Sequence, residues 1–288
     1  MKLLQVVQAQ SARLSQAGVS FGHGTTNAFD EAAWLVQWAL GLPPDDLDGE
    51  AHHPVSPSEL VAIESLIERR IRTRKPAAYL TNEAWLQGVA FYVDERAIVP
   101  RSFIAELLAD GSIDPWLGAD TERVLDLCCG NGSLAVLAAF AWPEVRIDAA
   151  DLSEDALAVA RINVERHDLQ ERIALHRSNG LHALAGRYDL ILCNPPYVTT
   201  AAMACLPPEY RAEPALALAG GADGMDFVRD LLAGAPSAMT PHAVLVLEIG
   251  HERRHFERAF PSLEVVWLQT SAGEDQVLLV TREALAAA

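Results

Sequence analysis

Apolar residues recur along the first quarter of the chain at three- and four-residue spacings. Leu4, Val7 and Leu14 form one set, Ala32, Leu35, Val36 and Leu40 a second, and Leu60, Ile63, Leu66 and Ile67 a third. Such spacing puts one apolar stripe on a helix, so helices are predicted between Leu3 and about Arg74. Ser56-Pro57-Ser58-Glu59 opens the third, with Ser56 as N-cap, Pro57 as first helical residue and Glu59 as capping-box partner. Gly41–Pro54, rich in proline, glycine and acid, is a loop. Phe21–Asn27, with two glycines, is a turn leading into the helix near Asp30, and His23 within it is read as a structural or solvated loop histidine. Pro76 ends the third helix.

Trp85–Val99 is rich in aromatic and β-branched residues, with turn signals at Gly88 and Asp94-Glu95, and predicts a hairpin joining two domains. Pro100-Arg101-Ser102 leads into a short helix, Phe103–Leu108. From Arg123 the period changes to strand and helix in alternation, which predicts a doubly wound, mostly parallel sheet. The strands expected are Val124–Leu127, Val145–Ala150, Ile173–His176, Leu190–Cys193, Ala243–Ile249, Glu264–Leu268 and Gln276–Val280, with helices notably at Ser133–Ala141 and Glu154–Arg166. The expected division is a helical domain over 1–80, a hairpin linker over 81–102 and a catalytic domain over 103–288.

Chemistry clusters at the carboxyl ends of the predicted strands, where ligands bind in open α/β sheets. Asp126-Leu127-Cys128-Cys129-Gly130-Asn131-Gly132 runs from a strand into a helix, and its glycines let backbone approach a ligand closely. Asp151 ends the next strand about 20 residues on, where a carboxylate can accept from ribose hydroxyls or cap the following helix. Ser178-Asn179 follows the third strand, placed to meet an adenine amino group. Asn194-Pro195-Pro196-Tyr197 ends the fourth, and two consecutive prolines make a stiff turn presenting an amide, carbonyls and an aromatic ring.

Composition narrows the partners. The net charge is −17, most of it beyond residue 100, which argues against non-specific nucleic-acid binding and suits a basic protein partner. Arg69, Arg70, Arg72, Arg74 and Lys75 are the one dense basic cluster. They are read as a solvated helix end suiting the helix dipole, with a contact to an acidic partner or RNA backbone as the alternative. The four cysteines show no zinc spacing, Met1–Gln10 lacks a signal peptide's apolar stretch, and no run approaches transmembrane length. A reduced, cytoplasmic chain without metal is expected.

Taken together, N-P-P-Y at Asn194–Tyr197, the Asp126–Gly132 loop and Asp151 resemble the class I protein glutamine methyltransferases. Tyr210–Pro214 with Gly220–Gly224 is similar to that family's E-P…G-G-x-D-G segment, and Glu248-Ile249-Gly250 to its fifth-strand motif. Phe21–Thr25, Ala78–Asn82, Phe91–Arg96 and Val99–Ser102 resemble the branch acting on ribosomal protein L three (the PrmB type), as does Cys128 where most methyltransferases carry glycine. The release-factor branch has P-R-P-E-T after the hairpin, whereas Pro100-Arg101 here precedes Ser102-Phe103-Ile104. Two positions depart from the family: Asn179 replaces an aspartate, and Gly180 a larger apolar residue.

The resemblance implies a seven-stranded Rossmann-like methyltransferase with a small helical domain that recognises substrate. It implies S-adenosylmethionine as cofactor, held by Asp126, Cys128, Cys129, Gly130, Asn131, Gly132, Asp151, Asn179 and Asn194. Asn194, Pro195, Pro196 and Tyr197 would hold the glutamine of ribosomal protein L three, free or in an assembly intermediate. A release-factor methyltransferase and a methyltransferase of exocyclic base amines are the alternatives; a cofactor-sensing scaffold and an oxidoreductase explain fewer of the residues.

Overall fold

The computed structural model describes residues 1–44 and 46–287. Asp45, in the predicted 41–54 loop, and Ala288, in the predicted catalytic domain, lie outside the described residues. Helices α1 (Leu3–Gln16), α2 (Ala28–Leu40), α3 (Pro57–Thr73) and α4 (Ala77–Thr81) pack around a core of their own, built from the predicted stripes. Asn27 caps α2 by accepting from the Phe29 and Asp30 N–H groups, and Ser56 and Glu59 form the expected capping box on α3. Three of these helices end on left-handed residues, Gly41, Arg74 and Asn82.

The hairpin is shorter than its composition predicts. Strands β1 (Ala84–Leu86) and β2 (Val89–Phe91) meet across Gln87-Gly88, both at positive φ as a tight primed turn requires. Beyond Phe91 the backbone leaves the ladder because side chains replace strand partners. The Asn163 amide takes the Tyr92 N–H at 2.7 Å and donates to the Tyr92 carbonyl at 3.0 Å. Asp94-Glu95 is a turn, closed by the Ala97 N–H on the Asp94 carbonyl.

After α5 (Ile104–Ala109), the chain alternates through β3 (Arg123–Leu127), α6 (Ser133–Ala141), β4 (Arg146–Asp151), α7 (Glu154–Arg166), β5 (Ile173–Arg177) and β6 (Tyr188–Cys193). It continues through α8 (Thr200–Cys205), α9 (Asp226–Ala238), β7 (Met239–Glu248), α10 (Arg253–Ala259), β8 (Val266–Thr270), β9 (Gly273–Thr281) and α11 (Arg282–Ala287). The seven strands lie in the order β5-β4-β3-β6-β7-β9-β8, and β9 runs antiparallel to both its neighbours. The predicted seven-stranded, mostly parallel sheet is therefore present, with apolar cores on both faces. Strand β7 starts four residues earlier than expected. Its register to β6 jumps between the Tyr188–Met239 and Leu190–Val244 pairs, and Pro241, which has no N–H to donate, sits in the irregular stretch. Chain order places β3, β4, β5 and β6 with their carboxyl ends on one edge, and the site forms there.

Candidate active site

The loop after β3 is tightly wound. Cys128, Gly130 and Gly132 all have left-handed backbone, at φ 59°, 53° and 78°. Gly132 is also constrained by packing: a Cβ there would lie 3.1 Å from the Ala160 Cβ on α7. Asn131 Oδ1 accepts the Ser133 N–H at 3.0 Å at the start of α6, while its Nδ2 donates to the Ile98 carbonyl at 2.8 Å. Asn163 Nδ2 donates to the Asn131 carbonyl at 2.9 Å, so two asparagines tie the loop to the segment after the hairpin. Hydrogen bonding with the Cys193 thiol, and burial, push the Cys128 thiol well above its usual range; burial does the same to Cys129. Both are neutral thiols, unsuited to nucleophilic work.

Asp126, expected among the cofactor contacts, is held away from the cavity. It lies behind the loop, fully buried, and does not line the cavity. Its Oδ2 accepts the Ala135 N–H at 2.9 Å, its Oδ1 has no partner, and burial pushes the carboxyl up to about 8. Its position inside the strand turns the side chain toward α6 rather than toward a ligand.

Asp151 does line the cavity. Oδ2 accepts the Gly130 N–H at 2.9 Å and Oδ1 the Ser153 N–H at 2.8 Å, while Ser153 Oγ caps α7 through the Ala156 N–H at 3.1 Å. Burial raises its carboxyl despite these donors. A carboxylate has about four acceptor positions, so two remain beyond the backbone bonds. After β5, Asn179 also borders the cavity, and Phe227 of α9 lies 3.8 Å from where a Gly180 Cβ would be. An aromatic ring thus occupies space beside the position where the family carries a larger apolar residue. Nothing in the local pattern around Phe227, an apolar residue opening a helix, pointed to the site.

The Asn194–Tyr197 turn is clamped on every side. Val198 N–H donates to the Leu218 carbonyl at 2.8 Å and Gly220 N–H to the Val198 carbonyl at 2.9 Å. A Cβ on Gly220 would come within 2.6 Å of Tyr197 Cα, one on Gly224 would strike the Tyr197 carbonyl, and one on Gly250 would lie 2.5 Å from Tyr197 Cε2. These contacts give the G-G-x-D-G and E-I-G motifs a physical reason: backbone and ring of Tyr197 pack where side chains would otherwise stand. The Tyr197 hydroxyl donates to Glu248 Oε1 at 3.4 Å, and Glu248 Oε2 accepts from Ser102 Oγ at 2.6 Å and the Phe103 N–H at 2.8 Å. Burial raises both groups, Glu248 up to about 7 and Tyr197 beyond its usual range. Among the described residues, neither the Asn194 side chain nor the Pro195 carbonyl has a hydrogen-bond partner.

These groups border one cavity of about 670 Å³, reaching from Asp151 and Asn179 past the glycine loop to Asn194 and Tyr197. The volume is that of a pocket for a nucleoside-sized ligand. The open Asn179 amide and the spare acceptor positions of Asp151 fit the amino and hydroxyl donors of an adenosine moiety.

Comparison with known proteins settles the family. Residues 5–81 match the PrmC N-terminal domain family and residues 112–206 the Methyltransferase small domain family. The ribosomal protein uL3 glutamine methyltransferase of Bordetella pertussis is 55% identical over 286 residues, covering 98% of this chain and 96% of its own. That of Burkholderia pseudomallei is 52% identical, covering 96% and 92%. The chain belongs to the ribosomal protein uL3 glutamine methyltransferase family. The hMettl16 catalytic domain, solved with a MAT2A 3′UTR hairpin, aligns with a TM-score of 0.54 at 14% identity over 82% of this chain and 84% of its own, and shares the fold.

For this uL3 glutamine methyltransferase family member, the basic cluster needs correcting. Arg70 is buried and bonds Glu31 and Glu209; Arg74 bonds Glu209 and the Ala17 and Gly18 carbonyls; Lys75 pairs with Glu95. Within this cluster, among the described residues, Arg69 and Arg72 are the members exposed without an ion pair, so it is not one continuous solvated face. Helical spacing separates Arg70 from Arg69 and Arg72 and turns it toward the core. His23, read as a structural or solvated loop histidine, is the structural kind, interior at 2% exposure. No helix among the described residues is long and apolar enough to cross a membrane.

Proposed function

We propose that the protein transfers a methyl group from S-adenosylmethionine to the side-chain amide nitrogen of a glutamine in ribosomal protein uL3 (L three). The observation that carries this reading is the pair of free acceptors on a rigid turn. An amide NH2 has two donors that need partners once buried, and Asn194 Oδ1 with the Pro195 carbonyl supplies two. The relatives' name supplies the acceptor protein, and a net charge of −17 suits a basic one.

On this reading Asp151 would hold ribose hydroxyls, Asn179 would accept from the adenine amino group, and the Cys128–Gly132 loop would contribute backbone contacts to the cofactor. The bound cofactor supplies an activated methyl group on a sulfonium. The chain's own work is positioning. Asn194 and Pro195 fix the amide nitrogen and favour the positive charge that develops on it. Tyr197, braced by Gly250 and Glu248, packs against the amide plane. Residues 1–80 serve as the recognition domain, 81–102 as linker and 103–288 as the catalytic domain.

The test is incubation with labelled S-adenosylmethionine and, in competition, uL3, a release factor and ribosomal RNA fragments, read by peptide mass spectrometry. Methylation of a uL3 glutamine is the expected result. Preference for the release factor would reject the substrate while leaving the chemistry, and modification of RNA alone would reject both.

A further inference from the structure

One wall of the cavity, through Tyr210, Pro214 and Leu216, is a segment whose only regular structure is two single 3-10 turns, Tyr210–Ala212 and Ala215–Ala217. It carries two carboxylates, Glu209 and Glu213, with side chains 0% exposed. Enclosed charge is costly unless paired, and the pairing here comes from elsewhere in the chain. Glu209 Oε1 accepts from the Ser20 N–H at 3.0 Å, Arg70 Nη1 at 3.3 Å and Arg74 Nη1 at 3.2 Å. Glu213 accepts the Val99 N–H at 3.0 Å and both Arg101 Nη atoms, at 2.6 and 2.7 Å. Burial alone would raise the Glu213 carboxyl; the Arg101 guanidinium, with His23 beside it, overrides burial and holds the group at about 2. The wall is therefore hung from the helical unit at one point and from the segment after the hairpin at the other.

Tyr210 stands between the two anchors, and the Phe21–Thr25 loop holds it. Its hydroxyl occupies the space a Gly22 Cβ would need. Its ring lies 4.3 Å from the His23 ring, with Arg101 Cζ 5.5 Å from its centroid. His23 Nε2 is 3.4 Å from Glu213 Oε2, yet neither ring nitrogen makes a hydrogen bond of good geometry. The imidazole thus sits beside Glu213 without a well-formed hydrogen bond, and the closely packed contact it makes is the ring face it offers to Tyr210. The hydrogen bonds of this assembly involve none of Asp151, Asn179 or the loop glycines.

We propose that His23 is a positioning residue for acceptor recognition: with Gly22 it sets Tyr210 against the cavity, so that the helical unit shapes the acceptor end of the site without touching the cofactor end. The proposal rests on the glutamine-methylating reading above.

His23→Ala removes the ring and leaves the arginine and backbone donors of both carboxylates in place. The expected result is a rise of about tenfold in KM for uL3, with kcat within about threefold and S-adenosylmethionine Kd by calorimetry within about twofold of wild type. His23→Phe, which keeps a ring against Tyr210, returns KM to within about threefold of wild type. Hydrogen exchange without substrate reports the same contact: residues 206–218 exchange faster in His23→Ala and at the wild-type rate in His23→Phe. A folded His23→Ala protein with wild-type KM and exchange overturns the proposal, as does a cofactor Kd that weakens in step with KM. Should His23→Ala fail to fold, Tyr210→Ala removes the same contact from the other side and must give the same split between KM and Kd. If the wild-type protein methylates no glutamine, the functional reading falls, and the exchange comparison alone decides the positioning claim.

Discussion

The two ends of the cavity are built differently. At the cofactor end the groups that shape the loop are near in sequence. Asn131 bonds the residue two on, Asp126 the residue nine on, and Asp151 reaches back 21 residues to Gly130. Consecutive strand–helix units build most of it. At the acceptor end Ser102 and Glu248 are 146 residues apart, Val99 and Glu213 114, and Ser20 and Glu209 189. The first end is built mainly by the sheet and its helices, with Asn131 and Asn163 adding ties to the segment after the hairpin. The second exists only when the helical unit, the hairpin segment and the β6–α9 connection have docked.

Substitutions at either end test that contrast. Asn194→Ala, at the acceptor turn, is expected to cut kcat by roughly 10²-fold or more while leaving cofactor affinity and melting temperature near wild type. Turnover close to normal in steady-state assays would show that the amide is held elsewhere. Asp151→Ala is expected to weaken S-adenosylmethionine binding by about 1.5–3 kcal/mol, the scale of hydrogen bonds to a charged group. Calorimetry on a folded variant measures it, and unchanged affinity would remove Asp151 from the site.

Gly220→Ala must displace the Tyr197 backbone, since its Cβ would lie 2.6 Å from Tyr197 Cα. A loss of about 1–3 kcal/mol in denaturant unfolding is expected, the range for overpacking, accompanied by lower kcat. Wild-type stability would mean the turn is less rigid than its packing implies. The smallest effect per pH unit concerns Glu248, raised in the folded protein to about 7 from 4.5. The folded state therefore holds a proton that the unfolded chain releases. This stabilisation is whole below about 4.5 and is lost as pH rises through about 7. Asp126 acts in the same direction up to about 8, and Glu213, held at about 2, acts oppositely at acid pH. Glu248→Gln should flatten the fall in unfolding free energy between pH 5 and 7 by up to roughly 1.4 kcal/mol per pH unit. An unaltered slope would show that Glu248 titrates at its ordinary value.

Much of this was legible in the chain as written. Helical spacing in Leu3–Arg74, the capping box at Ser56–Glu59, the alternation after Arg123 and the Asn194–Tyr197 turn rest on chemistry within a few residues, where steric limits and hydrogen-bond patterns act directly. Proximity of the strand ends followed from the handed connections of a parallel sheet. What tertiary structure alone decided was the state of the charged and polar side chains. Arg70 looked like one member of a surface cluster until Glu31 and Glu209, 39 and 139 residues away, enclosed it. Asp126 looked like a ligand contact and instead braces α6. His23 is the loop residue it looked like, but only the fold shows that it packs on Tyr210, and Asn163, within α7, replaces the strand partner that Tyr92 lacks. Periodicity and turn residues act locally, whereas burial of a charge depends on where its counter-charge comes to lie, and that is known only when distant segments meet.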